Sequence, residues 1–303
     1  MRKIVFLNNK GGVGKTASTA TIAHLLASVH KKRTLIIDLD PQGNTSNLYS
    51  DVNVFEFVEA LLRHERASVK IKSVEDLLID QELDIHECIQ HTKYEGLDII
   101  PSLLTLAEAE EKLKADIRTP QQFRLARHLK KVEEEYDYCL IDCSPSISIV
   151  NINGLAAADE VYFPLQTDAW SVAGMSIALD LCENVSQYNP SLKPVGCFFT
   201  QVDERKALGR QAYALVEEYL PDLLIPIKIG ISESVKWMSY QQMPLGEVEK
   251  NRKKPTKALK AYMDLTEFII SSNKEEFKKN YIARQEREAL QKIQEKIQRK
   301  EGK

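Results

Sequence analysis

The run Asn8-Asn9-Lys10-Gly11-Gly12-Val13-Gly14-Lys15-Thr16 constrains the fold of this chain more than any other stretch. It follows the apolar segment KIVFLN and precedes a helix-patterned one, Thr16–Val29. Gly11, Gly12 and Gly14 free the backbone to turn its N–H groups inward. A helix starting near Lys15 adds the positive end of its dipole. Strand, glycine-rich turn and helix N-terminus, in that order, make a cradle for phosphate. In the pattern G-x-x-x-x-G-K-[ST], Lys15 neutralises the β/γ-phosphates and Thr16 places its hydroxyl on Mg²⁺. The run departs from that pattern twice. Its first glycine would fall at position 9, which is Asn9, and a second lysine, Lys10, follows.

The rest of the chain repeats the strand–helix alternation. Strand candidates are KIVFLN (3–8), TLIIDLD (34–40), LDIIPS (97–102), YCLIDCS (138–144), EVYFPLQ (160–166), PVGCFFTQ (194–201) and LIPIKIG (224–230). Most are continuously apolar, as strands of a parallel sheet covered on both faces are. Helical segments between them include Leu104–Lys114, Gln121–Glu135, Val172–Tyr188 and Leu208–Tyr219. The expected fold class is therefore α/β: a doubly wound, mostly parallel sheet in one domain over residues 1–272. Two regions fit less well. Residues 51–95 are irregular and charged, as expected of short helices inserted beside the second strand. Residues 273–303 carry mixed charge with Ile282, Ala289, Ile293 and Ile297 at near-heptad spacing, which predicts a charged C-terminal helix.

Two acidic elements stand at strand ends. In LIIDLDPQGN, Asp38 and Asp40 fall in the crevice where open α/β sheets bind ligands, and they project to one side if the strand reaches Asp40. One carboxylate near Mg²⁺ and one near an attacking water suit phosphoryl transfer to water. In YDYCLIDCSPS, an apolar strand ending in Asp142 has the form of a Walker B segment, and such an acid is costly to bury unless paired or metal-bound.

In order and spacing, KGGVGKT, DLDPQGN and YDYCLIDCSPS resemble the ParA/Soj family of partition ATPases, grouped with MinD as P-loop NTPases of the deviant Walker A type. The resemblance runs to about residue 272, with echoes in VYFPLQTDAWSVAGM, GCFFTQVDER and IKIGISESVKW. It implies an ATPase that binds ATP and Mg²⁺ and forms a face-to-face homodimer in the ATP state. In such proteins the signature lysine, here Lys10, contacts the nucleotide of the other subunit. A second cation in trans would act as an arginine finger does. The resemblance assigns Asp40 to the attacking water, Asp142 to Mg²⁺ through water, and Asp38 to support of the Mg²⁺ shell. It places Gly11 to Thr16 around the phosphates, with Lys10 and Lys15 as catalytic cations. The base is expected near the loop Thr200-Gln201-Val202-Asp203 and the segment around Pro226. Where the family has a second threonine, the chain has Ala17, whose N–H still reaches phosphate but which lacks the hydroxyl.

Partition ATPases of this kind bind DNA without sequence preference and answer to a ParB-like centromere-binding protein. The formal net charge of −3 gives no global attraction to nucleic acid, so a DNA site must be local. The candidate is EKNRKKPTKALK, with Lys250, Arg252, Lys253, Lys254, Lys257 and Lys260, to which Arg205, Lys206 and Arg210 can add. The rival class is a MinD-like membrane-cycling ATPase, but the tail lacks an inserting Phe/Trp/Leu-rich face. An iron protein of the nitrogenase type would need paired cluster cysteines, and Cys88, Cys139, Cys143, Cys182 and Cys197 are scattered. A nucleotide-gated scaffold without turnover fits poorly with Asp40. The chain reads as cytoplasmic and nucleoid-associated, with no membrane partner.

Overall fold

Every apolar run named above becomes a strand with both faces covered. The computed structural model describes residues 1–50, 59, 62–63, 71–116, 119–203, 205 and 207–301. Most of 51–70, Lys206 and the last two residues of the tail lie outside the described residues. The strands are β1 (Arg2–Phe6), β2 (Thr34–Leu39), β3 (Gln90–His91), β4 (Leu97–Ile100), β5 (Tyr138–Cys143), β6 (Glu160–Leu165), β7 (Lys193–Val202) and β8 (Leu224–Gly230). They form one sheet in the order β3-β4-β2-β5-β1-β6-β7-β8. All pairs are parallel except β3 against β4. The two-residue β3 has no apolar pattern to announce it.

Side chains alternate between two buried layers. Val5, Leu35, Ile37, Ile141, Phe163 and Phe199 face one cluster, while Ile4, Phe6, Ile36, Leu140, Tyr162 and Phe198 face the other. The second layer is closed by α1 (Lys15–Ser28) and, late in the chain, by α11 (Lys257–Ile270). The first is closed by α3 (Val74–Ile79), α4 (Leu106–Ala115), α5 (Arg124–Lys131), α6 (Ile149–Ala157), α7 (Ala169–Ser186) and α8 (Ala207–Tyr219). Between β2 and α3 lies the short α2 (Ser46–Tyr49), and after β8 come α9 (Glu233–Gln241) and α10 (Leu245–Val248). Each buried Leu, Ile or Phe contributes about 1.5–3 kcal/mol, so covering both faces is what makes the continuous apolar runs stable as a sheet.

The helix expected over Gln121–Glu135 is shorter. A 3₁₀ turn, Gln121–Phe123, precedes it, and it stops at Lys131 where the chain turns into β5. The tail is helical as α12 (Lys274–Glu301), and its first turns are docked. Phe277 and Tyr281 pack on the second cluster, and Arg284 Nη2 lies 2.7 Å from Asp264 Oδ1. Leu290 and Ile293 further along are exposed. The described end of the insert is likewise tied in, since β3 pairs with β4.

Strand order places the site. β1 sits centrally between β5 and β6, while β2 lies beyond β5. The C-terminal ends of β1, β2 and β5 therefore meet at a topological switch point, where open α/β sheets leave a crevice.

Candidate active site

The glycine-rich loop joins β1 to α1 at that crevice. Gly12 and Gly14 have φ of 73° and 90°, a region other residues enter at a cost, and Gly14 in that conformation caps α1. Gly11, Gly12, Gly14, Lys15, Thr16 and Ala17 line a cavity of about 460 Å³ with Asp40, Pro145 and Met238. The Lys15 Nζ folds beneath the loop, donating to Asn8 O and Lys10 O at 3.0 Å each. Burial lowers its pKa, and Asp142, Cys143 and Asp40 oppose that shift.

Asp142, next to last in β5, is fully buried near this lysine. Its Oδ2 accepts from Thr45 Oγ1 at 2.6 Å, whereas Oδ1 is buried with no hydrogen-bond partner among the described residues. Burial raises its pKa, with Thr45, Thr16 and Lys15 pulling the other way. A buried carboxylate oxygen without a partner, beside a threonine hydroxyl and below a phosphate loop, fits a divalent cation.

Asp38, within β2, and Asp40, just past its end at Leu39, do not share a strand face. Asp40 starts a turn in which its C=O accepts from Gly43 N–H and from Ser102 Oγ, and its Oδ1 from Gln42 N–H. Its carboxylate lines the cavity. Asp38 points into the protein, where Oδ1 accepts from Asp40 N–H at 3.0 Å and Oδ2 from Ser46 N–H and Oγ at 2.8 Å. It pairs in register with Asp142, and burial and then that neighbouring charge raise its pKa. Three donors thus occupy its oxygens and tie Asp38 to the 40–46 loop.

Lys10 stands at the rim. Its Nζ lies 2.6 Å from Asp168 Oδ2 and 3.1 Å from Gln166 Oε1, both in the loop between β6 and α7. Asp168 also caps α7, accepting from Ser171 N–H at 3.1 Å. Burial would raise the Asp168 carboxyl, but the Lys10 hydrogen bond, the Ser171 N–H and the lysine charge outweigh it and hold it below the usual range.

On the base side, Thr200 and its neighbour Gln201 line a second cavity, whereas Pro226 does not. Thr200 Oγ1 is turned inward, donating to Val13 O at 2.7 Å. Pro226 lies inside β8, four residues before the strand's end at Gly230. This second cavity of about 180 Å³, sharing Gly14 and Ala17 with the first, is lined by Thr200, Gln201, Ile229 to Ser232, Val235 and Lys236.

The cationic candidates are exposed, on a loop clamped at its base. Glu249 accepts from Thr256 N–H at 2.8 Å and from Thr256 Oγ1 at 2.6 Å, which presents Lys250, Arg252, Lys253 and Lys254 outward ahead of Lys257 and Lys260. Arg205 is exposed elsewhere, after β7, and pairs with Asp203 at 2.9 Å, so its charge is offset. Among the described residues no helix is long and apolar enough to cross a membrane.

Thr45, Gln166 and Asp168 join the site without having been assigned a role from sequence. Asp168 was within reach, since the segment VYFPLQTDAWSVAGM carries it; Thr45 has no local signal, being 97 positions from the acid it binds.

Residues 1–194 match the family described as an AAA domain. The sporulation initiation inhibitor protein Soj of Bacillus subtilis (strain 168) is 35% identical over 240 residues, 77% of this chain and 88% of that protein. The chromosome-partitioning ATPase Soj of Treponema pallidum (strain Nichols) is 32% identical over 241 residues, 77% and 86% of the two chains. Among solved structures, the cobyrinic acid a,c-diamide synthase of Mycobacterium smegmatis with bound ATP analog and magnesium matches with a TM-score of 0.71 at 27% identity, over 90% of this chain and 97% of that one.

Proposed function

The chain belongs to the ParA/Soj family of partition ATPases, and on that premise we propose that it cycles on DNA through an ATP-bound homodimer. ATP binds over Gly11 to Thr16, two subunits close face to face, the dimer holds DNA without sequence preference, and hydrolysis stimulated by a ParB-like partner resets the cycle. The observation that carries this reading is Lys10, partly exposed at the start of the phosphate loop; Ile147, after β5, and Trp170, at the start of α7, are exposed as well. That lysine adds charge to a phosphate site only when another subunit meets it.

Within one subunit, the loop amides and Lys15 bind the phosphates, and Thr16 and Asp142 hold the cation. Magnesium, when bound, neutralises phosphate charge. Asp40, fixed by its own turn, accepts a hydrogen bond from the attacking water and orients it. The clamped loop 250–255 supplies phosphate contacts to DNA, and release of condensed counterions makes that binding fall steeply with salt.

Salt-dependent DNA binding measured with ATP, with ADP and without nucleotide tests the reading. Binding confined to ATP is the expected result. Equal binding in all three states, or ATP-dependent binding to anionic vesicles in place of DNA, would overturn it.

A further inference from the structure

We propose that Gln201 and Gln166 are positioning residues that hold the peptides of the phosphate loop with their N–H groups toward the nucleotide. This deepens the ATP-binding reading above and rests on it.

Along the β7–β8 pair, Phe199 is in register with Lys228 and Val202 with Gly230, so three steps on β7 oppose two on β8. The extra residue is a bulge, and Gln201 within it has φ of 52°, in the left-handed region that a glutamine enters at a cost. In a regular strand Thr200 and Gln201 would point to opposite faces. Here both reach one loop: Thr200 Oγ1 donates to Val13 O and Gln201 Nε2 to Gly12 O, each at 2.7 Å. A second amide, Gln166 Nε2 after β6, donates to the same Gly12 O at 3.0 Å.

A trans peptide points its C=O and its following N–H in opposite directions. Drawing the Gly12 and Val13 carbonyls toward β6 and β7 therefore turns the N–H groups of Val13 and Gly14 away, to the side of the cavity lined by Gly12, Gly14 and Lys15. Neither amide has a hydrogen-bond partner among the described residues. Gly12, at φ 73°, offers little resistance to a peptide flip, so the side chains fix what the loop alone leaves free. Gln166 has a second contact, accepting from Lys10 Nζ at 3.1 Å. The amide that orients the loop also holds the rim lysine.

The test compares wild type with Gln201→Gly and Gln201→Glu by calorimetric ADP binding without DNA, alongside thermal melting and steady-state kinetics. Glycine keeps the left-handed backbone and removes only the amide, so Gln201→Gly melts no lower than wild type yet binds ADP roughly three- to fivefold more weakly. Glutamate sets an acceptor against a carbonyl and weakens ADP further. In both, kcat/KM falls more than kcat. Equal ADP affinity in all three proteins overturns the proposal. A wild type that binds no ADP overturns the ATP-binding reading together with it. The expected ADP ranking in a protein that does not retain DNA overturns only the partition reading.

Discussion

Lys10 Nζ lies 2.6 Å from Asp168 Oδ2, so the lysine expected to serve a second subunit is paired within its own. Both side chains are about a third exposed, which limits such a pair to about 1 kcal/mol. Reaching across a dimer face requires breaking it. Asp168→Asn removes the charge and retains an oxygen to cap α7, so it should lower the concentration for ATP-dependent dimerisation by a few-fold, read by analytical ultracentrifugation. Lys10→Ala should bind ATP as a monomer and lose dimer-dependent hydrolysis. Hydrolysis that survives that change would make the loop an ordinary cradle.

Asp40→Asn keeps an oxygen for the Gln42 N–H and leaves the turn intact. Loss of the anion that orients water should cut turnover about a hundredfold or more, with ATP affinity nearly unchanged. Single-turnover hydrolysis beside equilibrium ATP binding separates the two effects.

Ala17 lines both cavities without a hydroxyl. Ala17→Thr restores one, against a helix-propensity cost of a few tenths of a kcal/mol. Nucleotide affinity should rise about fivefold, the worth of one net hydrogen bond. Unchanged affinity in calorimetry would remove Ala17 from the account of binding strength.

The double variant Lys253→Glu, Lys254→Glu reverses charge on the loop clamped by Glu249 and Thr256. DNA retention should be lost at moderate salt while ATP-driven dimerisation persists. A filter-binding salt titration showing wild-type affinity would move the DNA site elsewhere.

His24 is buried in α1, edge-on to Tyr94 at 4.9 Å, and burial pushes its pKa down to about 4. A depressed pKa contributes stability that is fully present above the ordinary value near 6.5 and is lost as pH falls toward 4. The loss is about 3 kcal/mol at most. The difference in unfolding free energy between wild type and His24→Gln should narrow over that window. A constant difference would show that His24 does not titrate there.

Much of this was legible along the chain. The seven apolar runs are strands because both faces are buried, and continuous apolarity is what that burial demands. The phosphate loop was readable because its glycines and its helix start are neighbours in sequence. Pro226 misled because it lies within a strand, and the late residues that line the base-side cavity start only at the end of β8, from Ile229 to Ser232. The loop from Thr200 to Asp203 was legible, but the bulge that turns both Thr200 and Gln201 onto the phosphate loop cannot be read from one strand alone.

The sequence by itself determined the layers, the loop and the strand-end acids, all properties of patterns a few residues long. Only the tertiary structure decided how those acids are used. Asp38 turns inward to hold a loop, Thr45 reaches Asp142, and Lys10 meets Asp168 across 158 positions. Such pairs follow from the order of strands in the sheet, which brings the ends of β1, β2, β5 and β6 together however far apart they stand along the chain.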